Sequence, residues 1–180
     1  MSLNEIESYF RAYDKEIYQV FAQQGAEPSE AEVAAFESHI GFSFPAEFRE
    51  FAVHPLGGLY MAVKEEFWPR PRAYEVGEFW SFLYGLVVYS LSPQAPDWLQ
   101  MSIAWRRMSD DGYSQFVPFL KVIGDPDPYC FTQDGKIVIW RHENPGEVGV
   151  VTKSFSEVLI FEIRELEQRK ERKVRGKAIT

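Results

Sequence analysis

Near the amino end apolar residues recur at steps of three and four. Ile6, Phe10, Tyr13, Ile17, Val20 and Phe21 fall on one face of a helix predicted over residues 4–24, which Gly25 ends. A second helix follows Pro28. Ser29 and Glu32 have the spacing of a capping box, Val33, Phe36 and Ile40 form its apolar stripe, and Gly41 stops it. Pro45 suits the first turn of a short third helix, where its missing N–H costs nothing, with Phe48, Phe51 and Ala52 facing inward.

The pattern then changes period. Gly57-Gly58 breaks the helix and opens a strand at Leu59–Val63. Residues 65–80 read as a loop with one helical turn near Tyr74–Phe79. Phe82–Leu91 is rich in branched and aromatic residues and reads as a strand buried on both faces. After Pro93 and Pro96, Asp97–Met108 is predicted as a helix with Trp98, Met101 and Trp105 on one side. Phe116–Ile123 reads as a strand. Tyr129–Thr132 and Lys136–Trp140 alternate around Gln133-Asp134-Gly135, a hairpin signal. A strand at Val148–Thr152 completes a three-strand antiparallel meander. Ser154 and Glu157 form another capping box, opening a last helix over residues 155–170.

These elements predict an α+β fold: a twisted, mostly antiparallel sheet flanked by N-terminal helices and a C-terminal helix. A chain of 180 residues fits one domain, taken as residues 1–170, with a basic, frayed tail at 171–180.

Charge sharpens the picture. The formal net charge is −8, but residues 164–180 carry seven basic and three acidic side chains, leaving −12 on the rest. A body this acidic repels phosphate backbones, which argues against nucleic acid, and attracts basic partners. The lone Cys130 permits no internal disulfide. No signal-peptide pattern opens the chain, and no apolar run approaches the length of a membrane span. A cytoplasmic protein that does not enter the membrane is expected.

Candidate chemistry is thin. His39, His54 and His142 lack metal-ligand spacing, and no phosphate-binding glycine loop or nucleophile elbow is present. Counted from Asp125, a calcium loop would need Gly and Glu where Cys130 and Lys136 stand. No cofactor, metal or catalytic residue is therefore predicted. What remains is surface. Glu65-Glu66, Asp110-Asp111 and Asp125-Pro126-Asp127 are acidic clusters in predicted loops, with Trp68, Trp80, Trp98 and Tyr113 nearby in sequence. Carboxylates beside aromatics suit an interface for a Lys/Arg-rich protein. The partner-binding candidates are Glu65, Glu66, Trp68, Asp110, Asp111, Tyr113, Asp125 and Asp127. The competing reading is a solvated surface with the aromatics turned inward. A carboxylate-based hydrolase among Asp110, Asp111, Asp125 and Asp127 is a third reading.

The order of motifs resembles the SUKH superfamily, which includes yeast cell-wall synthesis regulators and many bacterial immunity proteins. The resemblance rests on four motifs: the segment from Glu37 through Phe44-Pro45 to Phe51, the turn Gly57-Gly58, the run Gly124-Asp125…Tyr129…Gly135-Lys136-Ile137-Val138, and the helix start Ser154-Phe155…Val158-Leu159. It covers roughly residues 28–163; Phe44 stands where Leu is common, and the stretch 67–114 departs from the pattern. It implies a non-enzymatic protein that binds and neutralises a toxin, often a nuclease, or else a scaffold or adaptor like the fungal regulators.

Overall fold

In the computed structural model, residues 3–70, 79–144 and 146–177 are described. Their elements are α1 (Leu3–Ala12), β1 (Tyr18–Phe21), α2 (Glu30–Ile40), α3 (Ala46–Ala52), β2 (Tyr60–Val63), a 3-10 turn (Phe79–Phe82), β3 (Gly85–Val88), α4 (Met101–Asp110), β4 (Phe116–Val122), β5 (Tyr129–Thr132), β6 (Ile137–Trp140), β7 (Val148–Val151) and α5 (Phe155–Lys177). The strands form one antiparallel meander in the order β1-β2-β3-β4-β5-β6-β7. The predicted α+β class and its flanking helices are present, and the expected three-strand meander is the last part of a longer one.

Strand alternation gives the sheet two unlike faces. The inner face carries Met61, Leu86, Val117, Phe119, Phe131 and Ile137, which join Ile6, Phe48, Phe51, Phe155, Leu159 and Ile163 of α1, α3 and α5 in the main core. Phe48 is the hub. Its ring lies 5.0 Å from Phe44, 5.0 Å from Phe131, 5.1 Å from Phe155 and 6.1 Å from Phe119. Each such pair adds about 1 kcal/mol beyond its buried area. The outer face is thinly covered. Met108 of α4 packs on Cys130 and Val138, and Ala95 and Leu99 pack on Val87.

Two elements differ from the sequence reading. The helix predicted over 4–24 ends at Ala12. Asp14 Oδ1 accepts hydrogen bonds from the N–H groups of Glu16 (2.9 Å) and Ile17 (3.3 Å), which turns the chain. Tyr18-Gln19-Val20-Phe21 then runs as an edge strand against β2, where its β-branched and aromatic residues alternate in and out. The helix predicted from Asp97 begins at Met101. Gln100 is instead extended and bridges to Ser90, whose N–H donates to Leu99 O and whose O accepts from Met101 N–H, each at 2.8 Å. At the far end α5 continues past Lys170 to Lys177. Most of the turn predicted near Tyr74–Phe79 lies outside the described residues.

The motif residues have structural tasks. Buried Glu37 of α2 accepts from Phe44 N–H and from Arg49 Nη1, both at 2.6 Å, so one carboxylate closes the α2–α3 connection. Gly58 has φ +67°, and a Cβ there would lie 2.6 Å from Ser90 Cβ. Only glycine lets β2 begin where Ser90 Oγ donates to Gln23 Oε1 at 2.5 Å.

Glu37→Ala should lower unfolding free energy by about 2 kcal/mol, because it leaves the buried Phe44 N–H without its acceptor and takes from Arg49 the shorter of its two carboxylate contacts. Glu30→Ala removes the other, exposed carboxylate on Arg49 and should cost less than about 1 kcal/mol. Urea titration of both variants checks the ratio; equal losses would contradict the assignment.

Candidate functional site

The outer face holds a groove of about 340 Å³ between α4 and the β4–β5 turn. Its position follows from a bulge in β4. The pairing with β5 shifts between Pro118 and Leu120, so Phe119 and Leu120 both turn into the inner core. Pro118 fits an interior strand because it stands at this irregularity. Beyond it, Lys121 faces outward. The walls are Trp98, Arg107 and Asp111 on one side and Lys121, Pro126 and Trp140 on the other.

The chemistry of the groove is aromatic and mixed in charge. Trp98 is 52% exposed and its ring lies 5.7 Å from Tyr60 and 6.3 Å from Phe21, itself exposed. An aromatic strip thus runs from the β1 edge into the groove. At its other end Trp140 lies 5.3 Å from Tyr113. The charged lining residues are Asp97 and Asp111 against Arg107 and Lys121, and among the described residues none of the four is in an ion pair.

The fold gathers several of the predicted site residues here and leaves others out. Asp110 ends α4, Asp111 caps it and lines the groove, and Tyr113 packs beneath Trp140. Asp125 and Asp127 flank Pro126 in the β4–β5 turn, where Asp125 Oδ1 accepts from Asp127 N–H at 2.9 Å. Asp127 is less available than its neighbours. It accepts from Arg141 Nη1 (3.0 Å), His142 N–H (3.0 Å) and His142 Nδ1 (2.7 Å). Burial alone would raise its carboxyl, but these donors outweigh it and hold the group below the usual carboxylate range. Glu65 and Glu66 are exposed in the turn after β2 and lie outside the groove.

Trp68 corrects the sequence reading. It is fully buried, donates Nε1–H to Ser81 O at 2.8 Å, and lies under the Lys173 ammonium at 4.4 Å. Its task is to fasten the segment after β2 to α5, so it is no surface anchor. The aromatic that does reach solvent at the groove is Trp98. Sequence reasoning placed Trp98 beside the acidic clusters but missed Trp140, Arg107 and Lys121. They come from separate elements and meet only through the meander and the bulge; strand alternation at Lys121 gave no warning, since the bulge reverses it.

Other reactive groups are enclosed. Cys130 is buried under α4, and burial pushes its thiol up, away from thiolate chemistry. Buried Glu162 is raised by desolvation, against the opposing hydrogen bond from Tyr129 Oη at 2.7 Å. Among the described residues no three His, Cys, Asp or Glu side chains converge as a metal site, and no helix is long and apolar enough to cross a membrane.

The sequence profile of the SMI1/KNR4 family (SUKH-1) matches residues 27–160. The chain belongs to that family. The match runs from the start of α2 into α5, and so includes β2–β7 and the whole groove but not α1 or β1. A comparison with curated proteins finds none that matches. Within the SMI1/KNR4 span, Glu37 and Gly57-Gly58 are fold-determining, while the Gly124–Tyr129 motif supplies Pro126 and Pro128 to one groove wall.

Asp127→Asn should loosen the turn against β6. Because the folded-state carboxyl is lowered, its stabilisation is present above the ordinary Asp pKa of about 3.9 and is lost as pH falls below it. Urea midpoints should differ from wild type at neutral pH and converge in acid. A constant gap across pH would contradict the account.

Proposed function

We propose that this SMI1/KNR4-family domain is a non-enzymatic, protein-binding domain of the immunity type, which engages a toxin through the groove on the outer sheet face. The observation that carries the reading is the groove itself. Exposed Trp98 enters a concavity lined by four charges that have no ion-pair partner among the described residues, and Asp110, Asp125 and Asp127 lie beside it. Exposed aromatics surrounded by charge are the composition of interface hot spots. The acidic body supports a basic partner, such as a nuclease domain, because complementary fields raise association rates. Arg107 and Lys121 refine that expectation: the partner presents basic residues to the acidic loops and at least one acidic side chain to the groove walls.

An enzymatic reading of the same carboxylates has less support. Asp127 is committed to Arg141 and His142 and so is a poor proton donor at neutral pH.

The test is binding and protection against the toxin-type protein encoded beside this chain's gene. Trp98→Ala should raise Kd about ten- to a hundredfold. Charge reversal at Asp110 and Asp111 should slow association about tenfold and flatten its salt dependence. Reversal at Glu65 and Glu66, outside the groove, should change affinity little. Failure of the chain to bind or protect against any toxin-type domain, or dominance of the Glu65 and Glu66 variants, would remove the reading.

A further inference from the structure

β7 is an edge of the sheet and is bonded only to β6 among the described residues. Its other side presents a row of main-chain N–H and C=O groups. Natural edge strands are usually blunted by charges, prolines, bulges or a covering element. β7 itself reads Val148-Gly149-Val150-Val151, with Val150 70% and Val148 36% exposed. Both valines point to the outer face, since Val150 stands opposite Val138 and Val148 opposite Trp140.

The flanks define what fits this edge. Glu147 and Lys153 lie three residues before and after Val150, both exposed. Alternation within β7 sets Gly149 and Val151 on the inner face and Val148 and Val150 on the outer, with Glu147 and Lys153 just beyond its two ends. We propose that β7 pairs antiparallel with β7 of a second copy of this chain, about a two-fold axis at Val150. Val150 then meets Val150, Val148 meets Thr152, Gly149 meets Val151, and Glu147 meets Lys153. The acid–base pair forms twice, as an isologous contact requires. Moving the axis by one residue sets Glu147 opposite Val151 or Phe155 and loses both pairs. Parallel pairing sets Glu147 beside Glu147. Charge and apolar matching therefore select one register.

Lys153 Nζ already lies 4.6 Å over the Phe161 ring, which holds the ammonium near the edge. The two-fold axis is perpendicular to the sheet, so both outer faces look the same way. Such a dimer presents two grooves to a bivalent target. The pairing stands on the β7 edge alone and does not depend on what the groove binds.

Sedimentation equilibrium of the full chain, over a micromolar-to-millimolar series, tests it. Wild type should pass from one chain mass to two. Glu147→Lys and Lys153→Glu should each weaken dimerisation about tenfold, and the double reversal should restore it. Val150→Lys, at a solvated position, should keep its far-UV circular dichroism and remain monomeric. A wild type that stays monomeric overturns the proposal. So does a dimer that survives Val150→Lys, or charge reversals whose losses merely add. Open-ended oligomers would mean pairing of β7 with β1, and would also overturn it.

Discussion

Burial of one sheet face by the phenylalanine cluster around Phe48 constrains everything else. Phe44, Phe48, Phe119, Phe131 and Phe155 come from the α2–α3 connection, α3, β4, β5 and α5, and their rings interlock within 4.2–6.1 Å along the contacts that join them. Satisfying that cluster places α1, α3 and α5 on the inner face. The outer face is left to α4 and the chain around residues 95–99. A sheet covered so unevenly has room for a groove on one side only. The β4 bulge serves both sides at once, since the turn that sends Phe119 and Leu120 into the core sends Lys121 out.

This division explains why two of the family motifs, around Glu37 and Gly57-Gly58, lie away from the candidate site, while the Gly124–Tyr129 motif forms its β4–β5 wall. Glu37 and Gly58 solve local problems of the fold: an otherwise unpaired buried N–H in one case, and a crowded left-handed turn in the other. Any relative with the same connection needs the same solution.

Much of the architecture was legible in the residues. The capping box Ser29/Glu32 forms as spaced, with both reciprocal hydrogen bonds. The Asp134-Gly135 hairpin forms with Gly135 at φ +76°. Where the reading failed, a competing local interaction outweighed the period. The steps from Phe10 through Ile17 to Phe21 imitate a helix, but Asp14 captures two backbone N–H groups and the following residues find a strand partner in β2. Trp68 looked like a surface aromatic because Glu65 and Glu66 precede it. Its burial depends on α5, roughly a hundred residues later, which no local pattern encodes. The groove was half legible: Asp110, Asp111, Asp125 and Asp127 marked the loops, and topology alone joined Trp98 to Trp140.

The central claim is that the outer sheet face, rather than the helical one, meets the partner protein. Amide hydrogen exchange of the free and partner-bound chain measures this without any substitution. The account predicts slowed exchange in residues 95–100, at the end of α4 and in the β4–β5 turn, with α1 and α3 unchanged. Protection confined to α1, α3 and the exposed side of α5, with the groove segments exchanging as in the free chain, would contradict it.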